Sequence, residues 1–439
     1  MILKIKKIAA LSLLSATFIS PLALAQTEIE WWHSMDGALT DWVNDLADGF
    51  NESQTEFKII PIYKGDYEQS MTAGVAAYRA GEAPDILQVY EVGTASMIYA
   101  DGVTKSVTEI MQENGIPFDL NNYIPAVASY YTAPNGELLS LPFNSSTTVM
   151  YYNKDAFKKA GLDAENPPKT WDEVRKATEA LKAAGVSCPM TTEWMGWTQL
   201  ESFSAWHNAP YASENNGFDG LGAELLVNQP LQLRHFNNLD AMAKEGLFHY
   251  KGRASEAGPA FRSGECAITF GSSASYAGLK RDAKFEFGES TLPYYADVEG
   301  APQNTVIGGA SLWVMNGKPL DHYRGVAQFF DYISQPEIQA ASHMRTGYLP
   351  VTKAAFEITE ASGFYEENPG ANVPVEQMIR KATDNTRGIR LGNMLQIRAI
   401  VDEETEQIWS GQKNPEAALN NIEERGNQLL RRFERVNNR

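Results

Sequence analysis

The chain has 439 residues, with 55 Asp and Glu against 37 Lys and Arg and a formal net charge of −18. That acidic surplus disfavours nucleic acid and anionic membrane as partners, while leaving the local charge of a buried site open. The length exceeds what one compact core accommodates and suits two lobes of about 200 residues each.

Lys4, Lys6 and Lys7 precede an apolar run over 8–20 that is short for a bilayer span, and Ala23-Leu24-Ala25 follows as a small-x-small cleavage site. Residues 1–25 therefore read as a signal peptide, with a mature, exported chain starting at Gln26. No cysteine stands at the junction to carry a lipid. The two cysteines, Cys188 and Cys266, allow one disulfide in an oxidising compartment or two buried thiols.

Residues 28–34 (EIEWWHS) read as a first strand, 39–51 as a helix and 57–63 (FKIIPIY) as a second strand. An amphipathic helix over 67–80, closed by Gly81, leads to a buried strand at 85–90 that delivers Glu91 at its C-terminal end. This βαβαβ rhythm predicts a doubly wound α/β lobe with its ligand beyond the strand ends.

The stretch 142–171 begins with a polar, turn-rich loop, Asn144-Ser145-Ser146-Thr147-Thr148. A short strand at 149–152 follows, then a helix capped by Asn153 and closed by Gly161, then Thr170 as the cap of a helix from Trp171. Further on, helices are expected over 171–184, 200–207, 231–244 and 255–263, and a strand over 265–270 that runs into a serine-rich turn. A strand over 306–315 is interrupted by Gly308-Gly309. Helices follow over 320–334, 375–382 and 394–433, the last broken near Gly411.

The stretch at 142–171 resembles the interlobe crossover of the large solute-binding proteins of bacterial ABC importers. The run AYRAGEAPD from Ala77 resembles that family's helix–Gly–Pro–Asp–strand signature, and GGASLWVM from Gly308, TGYLPVTKAAF from Thr346 and IWSGQKNPEAAL from Ile408 resemble its later landmarks. YKGDYEQ from Tyr63, LQVYEVGTAS from Leu87, PFNSST from Pro142 and RLGNMLQIRAIVDEE from Arg390 narrow the likeness to members that carry glycerol 3-phosphate. Thr148 and Gly271 depart from the pattern.

The resemblance implies a two-lobed periplasmic-binding-protein fold of class α/β. Each lobe would be a doubly wound sheet with helices: 26–142 plus 302–349 for one, 146–298 plus 354–439 for the other. It implies a periplasmic monomer that binds sn-glycerol 3-phosphate between the lobes and hands it to ABC permease subunits. A glycerophosphodiester such as glycerophosphocholine, or an oligosaccharide, is the alternative ligand.

The binding residues it implies are Tyr67, Glu91, Ser146, Trp194, Trp197, Ser272, Gly309, Tyr348 and Arg398. Arg398 stands between apolar Ile397 and Ala399, so its guanidinium must be paired, either with phosphate oxygens or with a structural carboxylate. The resemblance assigns it to the phosphate and assigns Glu91 to the glycerol hydroxyls. Tyr67 and Tyr348 would pack on the carbon chain and donate to phosphate, with Trp194 and Trp197 as an aromatic wall.

A secreted hydrolase is the contrasting class. The six histidines form no metal-binding spacing, and GSSAS from Gly271 lacks the second glycine of a nucleophile elbow. GFDGLG near Gly217 has its glycines in the wrong order for a dinucleotide loop. A paired-carboxylate glycosidase leaves no mark in sequence. The expectation is a binding protein with no catalytic residue, metal or cofactor.

Overall fold

The computed structural model describes residues 26–133, 135–380 and 382–438, so the expected signal peptide lies outside the described residues. Its ten strands form two sheets. The first takes β1 (Thr27–His33), β2 (Phe57–Tyr63), β3 (Ile86–Tyr90), β4 (Thr104–Lys105), β5 (Leu141–Ser146) and β10 (Gly308–Met315). The second takes β6 (Thr148–Asn153), β7 (Cys188–Thr192), β8 (Cys266–Ser272) and β9 (Phe287–Ser290), in the order β7-β8-β6-β9.

Both sheets are buried on their two faces, and the alternation of side chains decides which core each residue joins. Ile29 and Trp31 of β1 pack with Phe57, Leu312 and Phe329 on one face. Trp32 joins Leu87, Val89 and Trp313 on the other. In the second sheet Met150 and Tyr152 face the large core with Trp171, Phe236 and Phe270, whereas Val149 and Tyr151 face Phe261 and Leu279. β1, β2 and β3 are parallel, as their connecting helices require; β10 runs antiparallel to β3 and β5.

The polar cluster at 144–148 is not the loop expected from its composition. Ser145 and Ser146 end β5, Thr148 opens β6, and Thr147 alone separates the sheets. Strand pairing decides this: Ser146 lies opposite Gly308, and Thr148 lies opposite Ser272. Ser145 accepts a backbone hydrogen bond from Leu349 (2.7 Å) and Thr147 accepts one from Ser273 (2.9 Å), so the buried polar backbone is satisfied across both sheets.

Other expectations change as well, and the helix expected over 375–382 is found at Val373–Met378. The helix over 255–263 shrinks to Gly258–Arg262, and that over 200–207 becomes a π-turn, Trp197–Glu201, followed by the helix Ser202–Trp206. Cys188 and Cys266, register partners on β7 and β8, are joined in a disulfide, which settles the alternatives left by the sequence.

Candidate functional site

The helix Tyr67–Ala80 starts on a capping box made by Asp66 and Gln69, which fixes Tyr67 at its first position. The Tyr67 ring stacks on Tyr90 at 4.9 Å, and its hydroxyl accepts from Asn144 Nδ2 at 2.9 Å. Asn144 Oδ1 accepts from Gln88 (2.8 Å), whose own Oε1 accepts from the Ser34 backbone N–H (2.7 Å). This relay of buried amides holds the phenol from behind. Tyr348 follows the left-handed Gly347 that ends the helix Pro336–Thr346, and its ring lies 5.7 Å from Trp42. Burial pushes its hydroxyl up to about 12, so it remains a neutral donor at physiological pH.

Beside these phenols stand the strand ends. Ser146 closes β5 and is 1% exposed; Ser272 closes β8, its hydroxyl accepting from the Ala274 N–H at 3.1 Å. The hydroxyls of Ser145 and Thr148 are buried without a protein partner. Gly309, at φ 85°, lies opposite Ser145, just before the register shift between Ala310 and Ser311 in β10; a Cβ there would sit 1.8 Å from the Asn144 carbonyl oxygen, so only glycine fits. Neutral donors from both sheets thus converge around Thr147.

A different chemistry lies beyond Gly308, where a Cβ would strike the Trp197 ring at 2.2 Å. Trp197, 4% exposed, packs with Val306, and Trp194 lies against this group with a left-handed backbone at φ 50°. Arg398, on the helix Met394–Trp409, forks onto Glu201 through Nε–Oε1 (2.8 Å) and Nη2–Oε2 (2.7 Å). The same Nη2 lies 2.7 Å from Glu91 Oε1. The sequence reading sets Glu91 and Arg398 at opposite ends of a ligand; the structure puts them in contact. Burial pushes the Glu91 carboxyl up, the Arg398 charge opposes this, and Glu201 adds to the rise.

Three residues of this region went unread in the sequence. Asn144 sits among turn-forming residues in the sequence. Glu201 stands between Leu200 and Ser202-Phe203, the same kind of apolar flank that singles out Arg398. Glu193 follows β7, and its carboxyl lies 3.2 Å from where a Cβ on Gly271 would be, which gives that glycine a local reason.

Burial raises Glu193 from 4.5 to about 7, with Arg262 pulling the other way. A raised carboxyl contributes its full stability below the unfolded value and loses it as pH rises through 7. Ionising it in the folded state costs about 3 kcal/mol at about 1.4 kcal/mol per unit. Glu193→Gln is therefore expected to melt higher than the wild type at pH 8.5 and close to it at pH 4.5. Equal melting differences at the two pH values would refute the burial argument.

Among the described residues no helix is long and apolar enough to cross a membrane, and no group of three or more His, Cys, Asp or Glu could hold a metal. The profile of the bacterial extracellular solute-binding protein family matches residues 45–373. The chain is 54% identical over 435 residues to the sn-glycerol-3-phosphate-binding periplasmic protein UgpB of Yersinia pseudotuberculosis, covering 99% of both. It is 53% identical over 429 residues to UgpB of Salmonella typhimurium, covering 97% of this chain and 98% of that one. The fold is also that of UgpB from Mycobacterium tuberculosis, solved in complex with glycerophosphocholine. That structure has a TM-score of 0.79 and 22% identity, and the match covers 93% of this chain and 99% of that one. The chain belongs to the bacterial extracellular solute-binding protein family.

Proposed function

We propose that this chain is the periplasmic solute-binding component of an ABC importer. Its two lobes close on sn-glycerol 3-phosphate, and the loaded protein delivers the ligand to the membrane permease without chemical change. The lobes are 26–142 with 302–349 and 146–298 with 354–439, a division that gives each lobe one sheet and places the boundary within β5, whose end at Ser146 still pairs with Gly308. The observation that carries this reading is the meeting of Ser146, from the first sheet, and Ser272, from the second, on either side of Thr147.

The site divides by chemistry. The phosphate goes to the hydroxyls of Ser146, Ser272, Tyr67 and Tyr348 and to backbone near Gly309, a neutral donor set that does not require a buried carboxylate beside the anion. The glycerol hydroxyls go to Glu91 and Arg398, one accepting and one donating. Two carboxylates on one guanidinium leave that cluster with a net negative charge, which repels a phosphate dianion and suits a neutral diol. Trp194 and Trp197 wall the carbon chain between the two ends. A glycerophosphodiester is the second reading, favoured by the ligand held by the relative from Mycobacterium tuberculosis.

Calorimetry of ligand-stripped protein tests this with glycerol 3-phosphate, glycerophosphocholine, maltose and inorganic phosphate. Strong heats are expected for the first, with weaker binding of inorganic phosphate and none of maltose. Scattering should show a smaller radius of gyration with ligand, since hinge closure brings donors from both lobes together. Binding of maltose without glycerol 3-phosphate would replace the proposal with an oligosaccharide carrier.

A further inference from the structure

Glu201 is 3% exposed and sits at the end of the π-turn Trp197–Glu201, which the Ser202 N–H closes by donating to the Trp197 carbonyl. Single π-turns inside helices are uncommon and gather at functional positions, because the extra residue re-aims the side chains around it. Here it presents two side chains from one turn: Trp197 against Gly308, and Glu201 against Arg398. The backbone beneath is equally close-set, since a Cβ on Gly196 would lie 3.3 Å from Val401 and 4.0 Å from the Arg398 side chain.

The Glu201 carboxylate engages two guanidinium nitrogens, Nε and Nη2, in the planar bidentate arrangement that fixes an arginine in orientation as well as position. Glu91 Oε1 meets the same guanidinium at Nη2, 2.7 Å away. The two acids are therefore unequal partners. Glu201 stands on the π-turn that comes after β7 of the second sheet, 197 residues before Arg398 in the chain, whereas Glu91 follows β3 of the first sheet. A carboxylate that already holds Nε and Nη2 leaves Nη1 as the donor edge for a ligand hydroxyl, and keeps Arg398 from collapsing fully onto Glu91.

We infer that Glu201 is a positioning residue for solute recognition. It holds Arg398 so that the Arg398–Glu91 pair presents one donor and one acceptor to vicinal hydroxyls, and so selects a polyol over an unsubstituted alkyl chain. The inference rests on the site proposed above. Without the Glu201 fork, Arg398 turns to Glu91 and the pair satisfies itself, so the acceptor and donor that a diol needs are both withdrawn. The phosphate end, built from other residues, keeps its contacts.

The test compares two ligands on the full chain by calorimetry, using competition for the weaker one. One is glycerol 3-phosphate; the other is n-propyl phosphate, which has the anion without the hydroxyls. Glu201→Gln is expected to weaken glycerol 3-phosphate about 10- to 100-fold, the range for a lost charge-assisted hydrogen bond. The affinity for n-propyl phosphate should stay unchanged. Glu201→Asp keeps the cluster's charge and shortens the reach; it should fold even where Glu201→Gln does not, and show the same selective loss. Equal losses for both ligands, or no loss for either, overturn the positioning role while leaving the binding site standing. Failure of the wild-type chain to bind glycerol 3-phosphate removes the site reading and this inference with it.

Discussion

Arg398→Ala is expected to weaken glycerol 3-phosphate binding by about 100-fold, the upper end of the range for lost charge-assisted hydrogen bonds, and to lose a large part of the protein's stability at neutral pH. The side chains of Arg398, Glu91 and Glu201 are 12%, 8% and 4% exposed, so removing the cation leaves two carboxylates facing each other out of water. Breaking a buried pair by deleting one partner costs about 3–5 kcal/mol, mostly through the stranded charge. Without the guanidinium nothing opposes the burial that pushes the Glu91 carboxyl up, so the deficit is smallest below the ordinary carboxylate range and grows as pH rises through the folded value of Glu91. Melting curves at pH 4.5 and pH 8 should show this widening gap. Arg398→Lys keeps the charge but not the fork, and should recover stability better than affinity. A folded Arg398→Ala protein with near-native affinity and a pH-independent deficit would dismiss the cluster from both roles.

Removing the disulfide should have an effect of similar size on stability and almost none on binding. Cys188 and Cys266 are 78 residues apart in sequence, and closing a loop of that length is worth about 4 kcal/mol in the chain-entropy account. The double variant Cys188→Ala with Cys266→Ala avoids a lone buried thiol. It should melt roughly 10 °C lower, given about 2–4 °C per kcal/mol for domains of this size. The bridge joins the first residues of β7 and β8, whereas Ser272 ends β8 and Trp194 lies beyond the end of β7. The bridged ends are therefore at the opposite ends of these strands from the proposed site. Affinity measured well below the melting point should be native-like; a large loss there would mean the bridge shapes the site.

The parts of the fold legible in the sequence are those written locally. Strand β2 and the helix Tyr67–Ala80 appear with the expected boundaries, because alternation, an Asp66 cap and Gly81 lie within the segments themselves. The crossover at 144–148 was misread because its conformation is imposed from outside, by β10 and β8, over more than 100 residues of chain. Composition alone made it a loop. The Cys188–Cys266 bridge was undecidable for the same reason, as pairing depends on two strands becoming neighbours. At the site, Arg398 and Glu91 stood out singly, yet nothing in the sequence says that they touch, or that Glu201 joins them from the turn at 197–201. Charge balance in a cluster is a property of three segments at once.

The change of sheet at Thr147 has a further consequence. Side chains alternate faces along a strand, so a chain that leaves one sheet and enters another through one residue carries its phase across. Insert or delete a single residue there, and Met150 and Tyr152 leave the core with Trp171 and Phe270 while Val149 and Tyr151 are driven into it. No neighbouring loop can absorb the slip, because pairing resumes at once on both sides. The passage at Thr147 therefore tolerates a change of residue better than a change of length.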